Sequence, residues 1–333
     1  MLLEHGGRLN AAAARYRIDR ADWLDLSTGI NPDGWPVPQL PAEVWQRLPE
    51  DDDALPIAVE QHYGRPGLPV AGSQAALATL PRLRAACRVG VIGPTYGEHA
   101  HAWQRAGHEV RTLTVGAVEA ALGQLDVLVA VNPDNPTGRL LASSTLLGWH
   151  RRLAARGGWL LVDEAYMDAE PSESLLAVRE QPGLIVLRSL GKFWGLAGVR
   201  AGFVFAEADL RAALAGLLGP WSVSGPARAV AVRALADTHW QDHARACLGH
   251  AARRFARLLT RHGLPPAGLT ALFQWVPHPA AAELHEGLAR RGVLVRHYAE
   301  PGGLRFGLPP DEAALRRLEL ALAGVRAERL GRR

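Results

Sequence analysis

Ser189-Leu-Gly-Lys-Phe-Trp-Gly-Leu-Ala-Gly-Val-Arg200 is the stretch from which the fold is read. It follows an apolar run over 184–187 that predicts a short buried strand. Lys192 therefore sits on a loop just past a strand, among Gly191, Gly195 and Gly198, with Arg200 eight residues on. It is also the only lysine: Lys and Arg together number 37, and all the others are arginine. A chain that uses arginine wherever charge suffices, yet keeps one lysine, points to chemistry that guanidinium cannot perform. An amine can lose its proton and form an imine with a carbonyl; arginine cannot. Chance survival of one surface lysine is the weaker reading, given what surrounds it.

Outward from this loop, strand and helix alternate from about residue 68, the signature of a mainly parallel sheet covered by helices. Strands are expected over 89–92, 110–115, 127–131, 159–162 and 202–205. Helices are expected over 54–63, 72–84, 98–106 and 143–156, the last with Ser143 as N-cap. After about residue 240 come a long arginine-rich helix over 240–262, a strand over 272–276, a helix over 280–290, strands over 293–296 and 304–307, and a last helix from Asp311. The expected division is an amino-terminal segment 1–45 packing with a small α/β domain 241–333, and a large domain 46–240.

In an open parallel sheet the loops after the strands meet at the carboxyl edge, where ligands bind. Asp163 ends one apolar strand and suits a protonated ring nitrogen, although an N-cap role fits equally well. Asn135, in Asn-Pro-Asp-Asn-Pro-Thr-Gly138, and Tyr166 can donate to a phenolate oxygen; a plain proline-rich turn is the alternative for the first. Gly72-Ser73-Gln74 at a helix start offers backbone N–H groups to a phosphate, and Ser189 and Arg200 can complete that cup. Tyr96 can stack on a ring or be an ordinary half-buried aromatic.

These residues together resemble the fold-type I pyridoxal-phosphate enzymes of the aspartate aminotransferase superfamily, in the branch that holds histidinol-phosphate aminotransferases and threonine-phosphate decarboxylases. Asn-Pro-x-Asn-Pro-Thr-Gly, Asp-Glu-Ala-Tyr, then Ser-x-x-Lys with arginine eight residues on, in this order, carry the likeness over nearly the whole chain. The resemblance implies pyridoxal 5'-phosphate as cofactor and Lys192 as its imine-forming lysine. Asp163 is then the ring-nitrogen partner, Asn135 and Tyr166 the phenolate donors, and Tyr96 the stacking ring. Ser73, Gln74, Ser189 and Arg200 form the phosphate cup. His5-Gly6-Gly7 and Leu-Ser-Thr-Gly29-Ile-Asn-Pro resemble the decarboxylases of cobalamin biosynthesis, as does Ala71-Gly-Ser-Gln-Ala-Ala-Leu. That likeness implies His5, Gly6, Gly29 and Asn135 as substrate contacts, with Arg296 on the substrate's phosphate or carboxylate and Arg305 gripping its α-carboxylate. The implied reaction is decarboxylation of O-phospho-L-threonine to (R)-1-amino-2-propanol O-phosphate, with a histidinol-phosphate-type aminotransferase as the alternative. Three departures stand out, one being a loop between Arg296 and Arg305 shorter than in some relatives. Gly29 occupies a position where these decarboxylases can carry asparagine. Leu48-Pro-Glu-Asp51 lacks the tyrosine with which many relatives reach the partner subunit's cofactor phosphate. The family also implies a homodimer, and a cobinamide-attachment enzyme is a candidate partner.

Composition excludes other classes. Hydrophobic residues make up 48% and the net charge is +4, with arginines spread along the chain, so no nucleic-acid patch is expected. Arg329 to Arg333 read as a solvated tail. The start has neither a signal-peptide pattern nor room for a DNA-binding module before the motifs, and no apolar run suits a bilayer, so a cytoplasmic protein without membrane partners is expected. Cys87 and Cys247 read as buried thiols of a reducing compartment. Thirteen histidines are present, but His99/His101 and His239/His243 lack a third ligand; no metal is expected, and surface or capping roles are.

Overall fold

The computed structural model describes residues 5–330. Residues 331–333 of the expected arginine tail lie outside the described residues, as does the start of the chain, 1–4. The chain divides into two compact units. Among the described residues the smaller comprises 5–33, 136–138 and 244–330; the larger comprises 34–135 and 139–243. Residues 34–45, expected with the amino-terminal segment, thus belong to the larger unit.

The smaller unit holds β1 (Leu24–Leu26) and the larger holds β2 (Leu68–Val70), β3 (Arg88–Ile92), β4 (Glu109–Leu113), β5 (Val127–Val131), β6 (Trp159–Asp163), β7 (Leu184–Ser189) and β8 (Gly202–Phe205). Its seven strands form one sheet in the order β2-β8-β7-β6-β5-β3-β4. β3, β4, β5, β6 and β7 pair in parallel, while β8 runs antiparallel to both β7 and β2. β5 and β7 are buried at every position, as expected of central strands covered on both faces, which read as continuous Val/Ile/Leu runs. Val89, Val91, Val127, Val129, Leu161, Ile185, Leu187 and Val204 join Trp103 and Leu77 in its core.

The smaller unit's five-stranded sheet, in the order β1-β11-β12-β10-β9, adds β9 (Gly268–Leu269), β10 (Phe273–Pro277), β11 (Val293–Tyr298) and β12 (Gly303–Gly307). β1 pairs in parallel with β11, Leu26 opposite Val295, so the two ends of the chain do build one small α/β layer.

Several local expectations are corrected. The strand expected over 110–115 stops at Leu113, and Val115 opens a helix Val115–Ala121. Ser143 is not the N-cap: Ala142 holds that position, and the orphan Ser143 N–H donates to the Glu173 carboxylate at 2.7 Å, which lowers the Glu173 pKa. Cys247 is exposed and Cys87 half-buried, so neither is the fully buried thiol expected. The alanine-rich helices Ala208–Leu218 and Gly225–Ala236 were not anticipated.

Candidate functional site

Parallel strands bring their carboxyl ends to one edge, and the register shows which residues share it. Asp163 lies opposite Val131 and Leu187, and Ser189 and Val70 both lie opposite Gly202. β8 enters the sheet at this edge because it runs the other way. Arg200, two residues before it, therefore reaches the same place as Ser73, three residues beyond the end of β2.

Arg200 is one of three non-glycine residues at positive φ among those described, φ 58° and ψ 52°. That geometry is unfavourable for a residue with a Cβ. Its Nη1 donates to the Ala197 carbonyl at 3.1 Å, and its Nη2 lies 2.8 Å from where a Cβ on Gly72 would stand. Gly72 itself has φ 73° and ψ 154°, a region open essentially only to glycine. A Cβ on Gly202 would meet the Ser73 N–H at 2.6 Å. Guanidinium and helix start are thus held together by two glycines, and the helix Ser73–Thr79 has no side-chain cap. A Cβ would fill this cradle, and its donor set is the one an anionic phosphate needs.

Gln74 contributes differently from expectation. Its side-chain amide donates to Glu98 at 3.2 Å and accepts from the Tyr96 hydroxyl at 3.2 Å. This leaves the backbone N–H as its group for a phosphate. The side chain instead ties Tyr96 to the helix start. Burial pushes the Tyr96 pKa up, and Glu98 and Asp163 add to this, so the hydroxyl stays a donor.

Asp163 is 4% exposed. One carboxylate oxygen accepts from the Ala165 N–H at 3.1 Å, the local role that made an N-cap reading plausible. The other lies 3.0 Å from Nε2 of His99, which is fully buried. With an ionised carboxylate as partner, Nε2 carries the proton and donates. His99 Nδ1 is buried with no hydrogen-bond partner. His99 is the residue the sequence reading missed: the expected surface role is wrong because its helix, Glu98–Arg105, packs this face into the unit. No local signal marked it, because its partner Asp163 is 64 residues away in sequence.

Lys192 is half-buried, with Nζ 5.4 Å from the centre of the Tyr166 ring. Its neighbour Ser189 accepts the Gly191 N–H at 3.2 Å, shaping the turn. The loop that carries Asn135 starts at the same edge. The Asn132 N–H donates to the Asp163 carbonyl at 2.9 Å, and the Asn132 side chain both accepts from and donates to Leu141, at 2.8 and 3.0 Å. Asn135 itself is 9% exposed.

Successive strand residues face opposite sides of the sheet, so the neighbours of Asp163 and Ser189 in sequence, Glu164 and Arg188, turn to its other face. They form a second unanticipated cluster. Arg188 binds Asp168 at 2.7 Å, Glu164 at 3.0 Å and Ser174 at 2.7 Å, all buried. Burial works against the Arg188 charge, but Asp168 and Glu164 outweigh it and raise its pKa. The cluster fastens the Asp163–Ala169 turn to β7, and so fixes Tyr166.

Of the other expected residues, His5, Gly6, Gly29, Arg296 and Arg305 all belong to the smaller unit. Ser27 holds two of them, Arg305 and Gly6. Its carbonyl accepts from Arg305 Nη2 at 2.7 Å, its hydroxyl accepts from the Gly7 N–H at 2.8 Å, and Asp25 accepts from that hydroxyl at 2.6 Å. Gly6 lies so close that a Cβ would stand 2.3 Å from the Ser27 carbonyl oxygen. Arg296 and Arg305 are directly opposed across β11 and β12. Like charges so placed repel, an arrangement that suits an anionic ligand. Gly29 is buried and contributes no side chain. Among the described residues no group of three or more potential metal ligands is found.

The family model for aminotransferase class I and II matches residues 68–319. A threonine-phosphate decarboxylase of Pseudomonas aeruginosa is 56% identical over 98% of this chain and 98% of its own. One from a Sinorhizobium species is 45% identical over 96% and 97%. Among solved structures, a histidinol-phosphate aminotransferase of Clostridium acetobutylicum superposes with a TM-score of 0.81 at 20% identity, over 92% of this chain and 99% of that one, a likeness of fold.

Proposed function

Because the chain belongs to the aminotransferase class I and II family, we propose that it is a pyridoxal-phosphate enzyme that decarboxylates O-phospho-L-threonine to (R)-1-amino-2-propanol O-phosphate. What carries this reading is likeness over essentially the full length to two threonine-phosphate decarboxylases, at 56% and 45% identity. The cradle of Gly72, Ser73 and Arg200 supports the cofactor part of it, as does a lysine facing Tyr166 in the same unit as a buried aspartate.

Bound pyridoxal phosphate supplies an electron sink for the pair left behind when the carboxylate departs. The chain's residues do the rest. Lys192 would hold the group through its amine, and the same amine would return a proton to Cα of the substrate. Asp163, oriented by His99 and the Ala165 N–H, keeps a negative charge against the ring nitrogen. Asn135 and Tyr166 donate to the phenolate oxygen, and Tyr96 covers the ring. The backbone N–H groups of Ser73 and Gln74, with Ser189 and Arg200, hold the phosphate. Arg305, steadied by the Ser27 carbonyl, grips the substrate α-carboxylate, while His5, Gly6 and Arg296 receive its phosphate. Orientation selects the bond that breaks, since the same groups serve either Cα–carboxylate or Cα–H cleavage.

The protein works as a homodimer in the cytoplasm and hands its product to a cobinamide-attachment enzyme. One feature favours the homodimer. Trp45, Leu48 and Ile57 are 67%, 65% and 61% exposed, large apolar groups that a second subunit would cover. No helix among the described residues is long and apolar enough to cross a membrane. The test is to supply holoenzyme with O-phospho-L-threonine and measure CO₂ and the phosphorylated amino alcohol. Turnover absent from Lys192→Ala is expected. Transamination without CO₂ release would instead assign the aminotransferase alternative.

A further inference from the structure

The smaller unit contains a cavity of about 320 Å³. His5, Gly6 and Arg296 form one wall, and the substrate assignment above uses only these. Also lining the cavity are Arg15 and Tyr16 from the helix Leu9–Tyr16, His285 from the helix Ala281–Ala289, and His297 from β11. The His285 and His297 rings are 5.8 Å apart, inclined at 39°, and both are half-buried.

The charges facing this pair are mostly cationic. Arg15 and Arg8 come from the first helix and its approach, His5 from the preceding loop and Arg296 from β11. The one facing carboxylate, Glu286, already accepts from Tyr16 at 2.6 Å and from Arg15 and Arg290 at 3.1 and 3.0 Å. Asp25 is engaged by Ser27. His285, packed against the His297 ring and sharing this lining with Arg15 and Arg296, is therefore disfavoured as a cation until an anion arrives. Burial first and then His297 push the His285 pKa down; Glu286 pulls it up by more than either Arg15 or Arg296 pushes it down, and the net direction is downward.

We propose that His285 and His297 are specificity-determining residues that bind a phosphoryl dianion in this cavity with uptake of a proton from solvent onto the histidine pair. This rests on the reading that the smaller unit receives the substrate's phosphate. A dianion entering between Arg296, Arg15 and the two rings reverses the local field, so an imidazole that is neutral in the empty cavity gains a proton and donates to the ligand. A neutral analogue bearing a hydroxyl in place of the phosphoryl group leaves the pair neutral and is discriminated against.

The test uses holoenzyme and inorganic sulfate, a tetrahedral dianion that does not titrate near neutrality. Calorimetry in two buffers of different ionisation enthalpy counts the protons taken up. At about pH 7, a substantial fraction of one proton is expected, with sulfate affinity rising as pH is lowered across the histidine range. His285→Gln and His297→Gln should each weaken sulfate binding about tenfold, the worth of a charge-assisted hydrogen bond, and reduce the proton uptake. Retained visible absorbance of the cofactor identifies folded variants, and His297→Asn serves if one glutamine variant does not fold. Sulfate binding without proton uptake, or equal affinity in folded variants, overturns the proposal. The sulfate measurement does not depend on turnover, so loss of the decarboxylase reading through the product assay is a separate result.

Discussion

Replacing Gly72 with alanine tests the cofactor cradle with two separable readouts. The backbone at φ 73° and ψ 154° is tolerated essentially only by glycine, so a Cβ there costs about 1–3 kcal/mol of stability. The second effect is local. The new Cβ stands 2.8 Å from Arg200 Nη2, where ordinary contact begins at 3.4 Å, and the guanidinium must retreat from the helix start. Arg200 is itself held at positive φ and tethered to the Ala197 carbonyl, so it has little freedom to find another route to the phosphate. Loss of one charge-assisted hydrogen bond there is worth about 1.5–3 kcal/mol, or roughly ten- to a hundredfold in cofactor affinity. Titration of apoprotein with pyridoxal phosphate, followed by visible absorbance, measures the second effect; chemical unfolding of the apoprotein measures the first. Gly216→Ala is the control: that glycine lies inside the helix Ala208–Leu218 with nothing within 4 Å of a Cβ, so the change is neutral or stabilising by up to about 1 kcal/mol. A Gly72→Ala protein that binds pyridoxal phosphate within twofold of the parent would refute the cradle.

His99→Phe removes the buried donor to Asp163 and should weaken cofactor binding roughly tenfold or more, with a shifted visible band in the holoenzyme; an unchanged band and affinity would show that His99 does not position Asp163. Arg188→Met leaves Glu164 and Asp168 buried without their cation, so denaturant unfolding should report a loss of about 3–5 kcal/mol. Methionine at 188 combined with Glu164→Gln and Asp168→Asn should recover part of it. Tyr16 has its pKa pushed up to about 12 by burial and by its bond to Glu286. A raised phenol pKa means that the native protein holds its proton longer than the unfolded chain. The associated stability is therefore present below pH 10 and lost as pH rises from 10 through about 12. Tyr16→Phe should flatten that part of the alkaline unfolding profile, as followed by circular dichroism.

The residues proposed for the cofactor could be singled out because each lies at a strand end within a short motif: Lys192 after β7, Asp163 ending β6, Asn135 after β5. One dimension of sequence contains both the strand and the polar group that follows it. His99 was not legible, because its partner Asp163 is 64 residues away and nothing local separates a helical histidine facing inward from one facing solvent. The Arg188 cluster escaped for the same reason. Its acids lie on the turn after another strand, and their meeting depends on the β6–β7 pairing. Ser143 illustrates a local rule overridden from a distance: serine favours helix starts, yet the Glu173 carboxylate took the N–H that a cap would have satisfied. The helices Ala208–Leu218 and Gly225–Ala236 are rich in alanine; the second buries Ala227, Val230, Ala231, Ala234 and Leu235 at helical spacing, but alanine also sits on its exposed side, so the sequence shows little contrast between faces. In the smaller unit, the opposition of Arg296 and Arg305 follows from strand register, which the two short motifs alone do not specify.

The central claim is that the Cα–carboxylate bond is the one broken. A single turnover of holoenzyme with O-phospho-L-threonine labelled with ¹³C in the carboxylate tests it most directly. One equivalent of ¹³CO₂ and one of unlabelled phosphorylated amino alcohol, with pyridoxal phosphate regenerated, is the predicted result. Label retained in a 2-oxo acid, with pyridoxamine phosphate left on the protein, would contradict it.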